Sequence, residues 1–353
     1  MATESQPAAA TVHASGGLVA GQLVGNGRYS LLWMLGCGGT CMVWLAQDER
    51  LSETVALKFL MPEAAADPAM IKELRKEALR SRRLAHQNIV QLYDLNEFPA
   101  ELPFLIMEYV EGASLHTRRL ETPGQFLTWD ILQPLTLQLC HALDHAHGEG
   151  LIHRDLKPAN IMVDTKGRAK LADFGISGTM NDAYTRILGL RDTRGTMTFM
   201  SPQQMDGDPP QITDDIYSFG ATLYELLTSR APFFTGDIEH QVRQVPPQPV
   251  AACLRELKIE NPVPANVSSI ILASLRKQPD QRPQSMAEVA ERLFGPDGAH
   301  LPLSETPRLT PEGDPTAPYA PRQRFSREFF IVMAVLLLLL VLALVTLVIQ
   351  MRG

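Results

Sequence analysis

From Arg28 to Leu60, short apolar runs alternate with glycines and turn residues, which predicts a β-sheet rich in hairpins. The period then changes. Ile71, Leu74, Ala78 and Leu84 fall near helical spacing with many charges between them, so Ala66 to Leu84 is expected to be a helix. Ile89 to Leu95 and Leu102 to Val110 read as further strands. From Leu127 onward helices dominate: Leu132, Leu135, Leu139 and Leu143 repeat at helical spacing, and Ile216 to Leu227 forms another apolar helix. A β-rich segment with one helix, followed by a mostly helical segment, predicts a two-lobed α+β fold with a cleft between the lobes.

The flanks have different patterns. Residues 1–27 are rich in Ala, Gly, Ser and Thr without a sustained period, and are expected to be a disordered leader. Residues 295–328 are read as an extended juxtamembrane linker. They contain seven prolines between Pro296 and Pro321, and two Thr-Pro pairs, Thr306-Pro307 and Thr310-Pro311, fit plain linker composition. Phe329 to Ile349 is uncharged and apolar on every face, long enough to cross a bilayer as one helix. Arg322, Arg324 and Arg327 precede it and only Arg352 follows, which places the N-terminal side in the cytoplasm. Residues 350–353 would be a short extracytoplasmic tail, so the span reads as a tail anchor. No apolar stretch behind a basic start suggests a secretory signal.

Composition narrows the function classes. The chain has 353 residues with a formal net charge of −7, a mild acidic excess that argues against a general nucleic-acid binder. Its four cysteines, Cys37, Cys41, Cys140 and Cys253, are too scattered for a disulfide framework, and no His or Cys pair completes a zinc pattern around Cys37 and Cys41.

The densest chemical signal is LIHRDLKPANIMVDTKGRAKLADFG, residues 151–175. HRD holds Asp155, Asn160 follows five positions later, and Asp173 opens DFG. Upstream stand LGCGGTCMV at 35–43, VALK at 55–58, RKEALRSRRL at 75–84, HQNIV at 86–90 and LIMEYVEGASL at 105–115. Downstream stand GTMTFMSPQ at 195–203, DDIYSFG at 214–220 and DQRPQS at 280–285. This ordered set resembles the eukaryotic-like serine/threonine protein kinases, in their bacterial form, over residues 28–294. The lobes are expected at 28–109 and 110–294.

The resemblance implies a nucleotide site for ATP. Gly36 and Gly38 match the first two positions of the glycine loop and Val43 its end, while Cys41 stands where the third glycine is usual. Leu35 would cap the adenine pocket, and Val43, Ala56 and Met162 would sandwich the base. Met107 would line the back of the pocket, and the main chain of Glu108 and Val110 would bond adenine. Lys58 would contact the α- and β-phosphates, oriented by Glu77, with Glu73 the competing partner.

For chemistry, the resemblance implies Asp155 as the base that accepts the substrate hydroxyl proton and Lys157 as the group steadying the γ-phosphate. Lys157 is typical of serine/threonine rather than tyrosine kinases. Asn160 and Asp173 would hold Mg²⁺. Arg154 would meet an activation-segment phosphate, with Thr185 and Thr193 the leading autophosphorylation sites and Thr196 positioning the substrate. Asp215 would anchor the catalytic-loop backbone. Gln203 replaces the usual glutamate and would bond Arg282 without neutralising it. Partners are protein substrates, the membrane and a second copy, a homodimer for trans-autophosphorylation. Two other readings fit parts of the chain: a kinase-like membrane scaffold, suggested by Cys41 and Gln203, and a small-molecule phosphotransferase of kinase-like fold. A redox role for Cys37 and Cys41 near the phosphates is a further reading.

Overall fold

The computed structural model describes residues 17–38, 41–98, 101–174 and 197–296. The chain divides into two compact units, residues 1–308 and 309–353, and every described residue belongs to the first. Phe329 to Ile349 and most of the proline-rich linker therefore lie outside the described residues. Among the described residues no helix is long and apolar enough to cross a membrane.

The N-terminal half is a six-stranded antiparallel sheet in the order β1-β2-β3-β4-β6-β5. Its strands are β1 (Leu23–Val24), β2 (Tyr29–Cys37), β3 (Cys41–Asp48), β4 (Glu53–Leu60), β5 (Leu92–Asn96) and β6 (Phe104–Glu108). Strand alternation sorts the side chains onto two faces. Met42, Trp44 and Ala46 of β3, Val55, Leu57 and Phe59 of β4, and Phe104 and Ile106 of β6 form one buried cluster. On the other face, Leu60, Leu92 and Leu105 pack under Met70, Leu74 and Ala78 of the covering helix. The rest of that inner face is open to the cleft and carries the nucleotide-site candidates.

That covering helix departs from the expected 66–84 span. A short α1 (Pro62–Ala65) precedes α2 (Pro68–Ser81). Pro68 occupies the first helical turn and Asp67 caps it, its Oδ1 accepting the Ala69 N–H at 2.8 Å, so local chemistry starts the helix later than periodicity suggests. The strand expected from Ile89 begins only at Leu92, and Ile89 makes an isolated parallel bridge to Leu171 instead. Order also starts before Arg28: Leu18 and Val24 are buried in the sheet cluster, so residues 17–27 belong to the folded unit rather than to a disordered leader.

The C-terminal half opens with a feature the pattern did not predict, a small sheet of β7 (Gly112–Ser114), β8 (Ile161–Asp164) and β9 (Ala169–Leu171). These strands are too short for a period to register in the sequence. A Cβ at Gly112 would collide with the Val163 carbonyl, so glycine there permits the close β7–β8 approach. Helices α3 (Leu115–Glu121), α4 (Trp129–Gly148), α5 (Pro202–Asp206), α6 (Ile212–Thr228), α7 (Ile238–Gln244), α8 (Val250–Leu257), α9 (Ala265–Ser274) and α10 (Met286–Phe294) complete the described lobe. Nearly every residue of α6 is buried, as expected of a helix apolar well beyond one stripe. It forms the axis on which the catalytic loop is mounted.

Candidate active site

Cross-strand register aligns the N-terminal candidates. Gly36 lies opposite Val43, Val43 opposite Lys58 and Lys58 opposite Leu105, while Ala56 lies opposite Met107. Ala56 and Lys58, two positions apart, share the inner face of β4. Lys58 is only 6% exposed, and its Nζ donates to Asp173 Oδ1 at 2.6 Å. Burial alone would push the ammonium down, but the Asp173 carboxylate outweighs it and the Lys58 pKa is raised. Likewise, burial pushes Asp173 up, Lys58 overrides that, and the net direction is downward. Both groups are therefore charged and hold each other across 115 residues of sequence.

Glu77 lies in α2, but its side chain is outside what the structure describes. The competitor Glu73 is committed elsewhere, bonding Lys76 at 2.6 Å on the helix surface. Two contacts that the sequence did not signal tie DFG to α2 and to the catalytic loop. Ser81 Oγ, at the end of α2, donates to the Phe174 carbonyl at 3.3 Å, and Phe174 packs on the His153 ring with centroids 4.6 Å apart.

The catalytic loop is fixed from below. Asp215 is fully buried in α6 and accepts the backbone N–H groups of His153 and Arg154 at 2.8 and 2.9 Å. Its Oδ2 also meets His147 Nε2 at 2.8 Å, a partner on α4 that the sequence reading missed. Burial would raise the Asp215 pKa, but the His147 contact and the backbone donors lower it. Arg154 sits at φ 69° and Asp173 at φ 63°, a region that non-glycine residues seldom occupy. The Arg154 peptide is held there on both sides, by Asp215 and by Gln204 Nε2, which donates to the Arg154 carbonyl at 2.9 Å. His153 Nδ1 accepts the Asp155 N–H at 3.3 Å, which leaves Nε2 to donate to the Ala172 carbonyl at 3.0 Å. One ring thus bridges HRD and DFG.

Asp155 is 6% exposed, and Lys157 Nζ lies 2.9 Å from its Oδ2. Asn160 Nδ2 donates to the Asp155 carbonyl at 2.8 Å and to Asp155 Oδ2 at 3.0 Å. Both amide hydrogens are then engaged, so the Asn160 amide oxygen is the part left to face a cation.

The chain matches the protein kinase domain family over residues 29–294. It belongs to that family. It is 34% identical over 306 residues to the serine/threonine-protein kinase PknB of Mycobacterium tuberculosis, covering 82% of this chain and 46% of PknB. A probable serine/threonine-protein kinase of Streptomyces coelicolor is 36% identical over 275 residues, covering 75% of this chain and 39% of the relative. The chain thus spans less than half the length of these curated relatives. The crystal structure of the Mycobacterium tuberculosis PknI kinase domain superposes with a TM-score of 0.59 at 26% identity, over 78% of this chain and 98% of that one.

Within this kinase domain, the residues present fit a nucleotide and a hard cation. Among the described residues beyond its chain neighbours, nothing lies within 4 Å of where a Cβ would stand at Gly36, and at Gly38 only the Cys41 carbonyl comes near, at 3.8 Å. Neither has a positive φ, so nothing among the described residues demands glycine there. A phosphate chain lying over the hairpin would be a reason for glycine there. Asp173 offers an oxygen donor at the Lys58 ammonium, and Asn160 offers one beside Asp155. Among the described residues no group of three His, Cys, Asp or Glu side chains builds a protein-only metal cage, and Mg²⁺ shared with phosphates needs none.

The hinge candidates carry an unexpected brace. The Glu108 carboxylate pairs with Lys170 of β9 at 2.6 Å and accepts the Gln91 N–H at 3.1 Å. Its side chain holds the hinge peptide while its main chain remains the adenine candidate. Val110 and Ala56 are buried, Val43, Met107 and Met162 are half-buried, and Leu35 is 42% exposed. Gln203 Oε1 accepts from Arg282 Nη2 at 2.6 Å. Arg282 is buried, and burial pushes its pKa down to about 10. The carboxylate that offsets this is Asp214 at 3.9 Å, a residue the sequence did not single out. Ser177, Thr179, Thr185, Thr193 and Thr196 lie outside the described residues.

Proposed function

We propose that the chain is an ATP- and Mg²⁺-dependent serine/threonine protein kinase working at the cytoplasmic face of a membrane. The observation that carries this reading is the convergence of Lys58, of Asp155 and Asn160, and of Asp173 from three separate segments onto one site. Asp155 accepts the proton of the acceptor hydroxyl as its oxygen attacks phosphorus. Lys157, released from Asp155 as substrate enters, steadies the transferred phosphoryl group. Lys58 holds the α- and β-phosphates, with Glu77 its orienting partner. Asn160 and Asp173 would hold Mg²⁺, which would neutralise phosphate charge when bound. Leu35, Gly36, Gly38, Val43, Ala56, Met107 and Met162 enclose the nucleotide, and the Glu108 and Val110 main chain bonds the adenine.

Autophosphorylation at Thr185 or Thr193, within a homodimer, would present a phosphate to Arg154. The span 329–349 supplies the membrane tether, with 295–328 as the linker. Radiolabel transfer from ATP to a generic protein substrate tests the activity: wild type transfers, and Asp155→Asn falls about a thousandfold. Equal transfer by both proteins, or none by wild type, refutes it. Nucleotide binding without turnover would favour the scaffold reading. The kept Gln203–Arg282 contact removes much of that reading's support.

A further inference from the structure

Between α7 and α8 the chain reads VPPQP, residues 245–249, preceded by Arg243 and Gln244. Elementary backbone chemistry fixes the shape of this segment. The rings of Pro246, Pro247 and Pro249 hold φ at about −65°. A residue followed by proline is driven out of the helical region, which applies to Val245, Pro246 and Gln248. All five residues are therefore extended. Val245 stands at φ −92° and ψ 126°, and Pro249 at φ −56° and ψ 138°, close to a polyproline II helix. Val242 and Val250 are fully buried and pin the two ends, so the ridge is held in place before any partner arrives.

A polyproline II helix has three residues per turn, so positions three apart share a face. Pro246 and Pro249 are both exposed, and so are Val245 and Gln248 beside them. Pro247, between the two pairs, is half-buried. The outward side thus presents two pairs, Val245-Pro246 and Gln248-Pro249, with the residue between them turned toward the protein. Gln248 Nε2 donates to Glu256 at 3.1 Å, an exposed bond that leaves the proline rings clear. Arg243, three positions before Pro246, is 31% exposed. It pairs with Glu239 at 2.6 Å and with Asp206 at 2.9 Å, surface contacts that a partner's carboxylates can replace at small cost.

We propose that residues 243–249 are a docking ridge for a partner domain of the SH3 type, one whose groove is lined by aromatic side chains and rimmed by carboxylates. Two successive residue-proline pairs fill two slots between aromatic rings, and the arginine at one end fixes the direction in which the partner lies. Proline rings already hold the bound conformation, so docking loses little chain entropy. None of these residues takes part in the phosphoryl transfer proposed above, so the ridge and the kinase reading stand or fall separately.

The test uses purified SH3 domains that bind the free peptide RQVPPQP. Each is isotope-labelled and titrated with the full chain in detergent micelles, and the amide shifts of its groove are followed. The wild-type chain should bind. Pro246→Ala should weaken binding about tenfold, whereas Pro247→Ala, at the covered position, should stay within about twofold of wild type. Both variants should melt as wild type does and transfer phosphate from ATP at its rate. A wild-type chain that binds none of these domains overturns the ridge, as does a free peptide that no SH3 domain takes. So does a Pro246→Ala variant that binds as wild type does, or no more weakly than Pro247→Ala. Binding by a chain that transfers no phosphate leaves the ridge standing and refutes the kinase reading alone.

Discussion

The catalytic loop and the glycine hairpin, proposed to serve one phosphate, are built in opposite ways. Between His153 and Asn160, backbone and side chains are tied down: two N–H groups to Asp215, one carbonyl to Gln204, the His153 ring to Asp155 and Ala172, and Asn160 to Asp155. Leu35, Gly36 and Gly38 are exposed, and few of the described residues come near the two glycines. The difference fits the work proposed for each. A base and metal ligands must stand ready within a few tenths of an ångström, so buried hydrogen bonds hold even an unfavourable φ at Arg154 and Asp173. A phosphate cover must admit and release nucleotide, so its contacts are left for the ligand to make.

Removing the loop's anchor breaks this contrast most severely. Asp215→Ala leaves two backbone donors and His147 without their acceptor, and should destabilise the domain by about 3 kcal/mol, read as a lower denaturation midpoint. Activity should fall with it. The hairpin should respond in the other way. Gly38→Val should raise KM for ATP about tenfold while leaving the melting temperature unchanged, since none of the described residues crowds that position. A loss of stability in Gly38→Val would mean the hairpin is structural after all.

Acid should act on the tied-down half. Asp215 is held below its ordinary value of 3.8, so its stabilisation is present above that pH and is lost as pH falls through the lower folded value. His86 acts earlier. Burial, then His145 and His141 of α4 and Lys170 of β9, push it down from 6.5 to about 4. The neutral ring accepts the Asn88 N–H through Nδ1 at 3.1 Å, so its stabilisation is present above pH 6.5 and is lost between there and about pH 4. Melting temperature should drop by about 5 °C over that window, and His86→Gln should flatten the profile. The smallest effect concerns Gln203. Gln203→Glu puts a carboxylate against buried Arg282 and should stabilise by about 1 kcal/mol or less, because Asp214 already lies 3.9 Å away. A larger gain in urea midpoint would show that Asp214 contributes little.

Much of the site was legible because its residues sit in short, ordered runs: HRD, the lysine and asparagine after it, DFG, and the buried aspartate of DDIYSFG. Its braces were not. His147, Ser81, Lys170, Gln204 and Asp214 carry no local signal, since each meets its partner from a distant segment. The start of the folded unit was misplaced for a related reason. Residues 17–27 show no period, yet Leu18 and Val24 are buried by the sheet edge they meet.

By itself the sequence determined the alternation of the sheet, the helical C-terminal lobe, the chemical types at the site and the apolar span at 329–349. Those properties are local: side-chain period, turn chemistry and the order of polar residues along the chain. Tertiary structure alone decided that Lys58 faces Asp173, that Asp215 shares itself between the catalytic loop and His147, and that Glu225 is spent on Arg119. A buried charge is fixed by whichever opposite charge or donor the fold brings within about 3 Å. That distance is set by packing over a hundred residues of separation, and one-dimensional spacing does not record it.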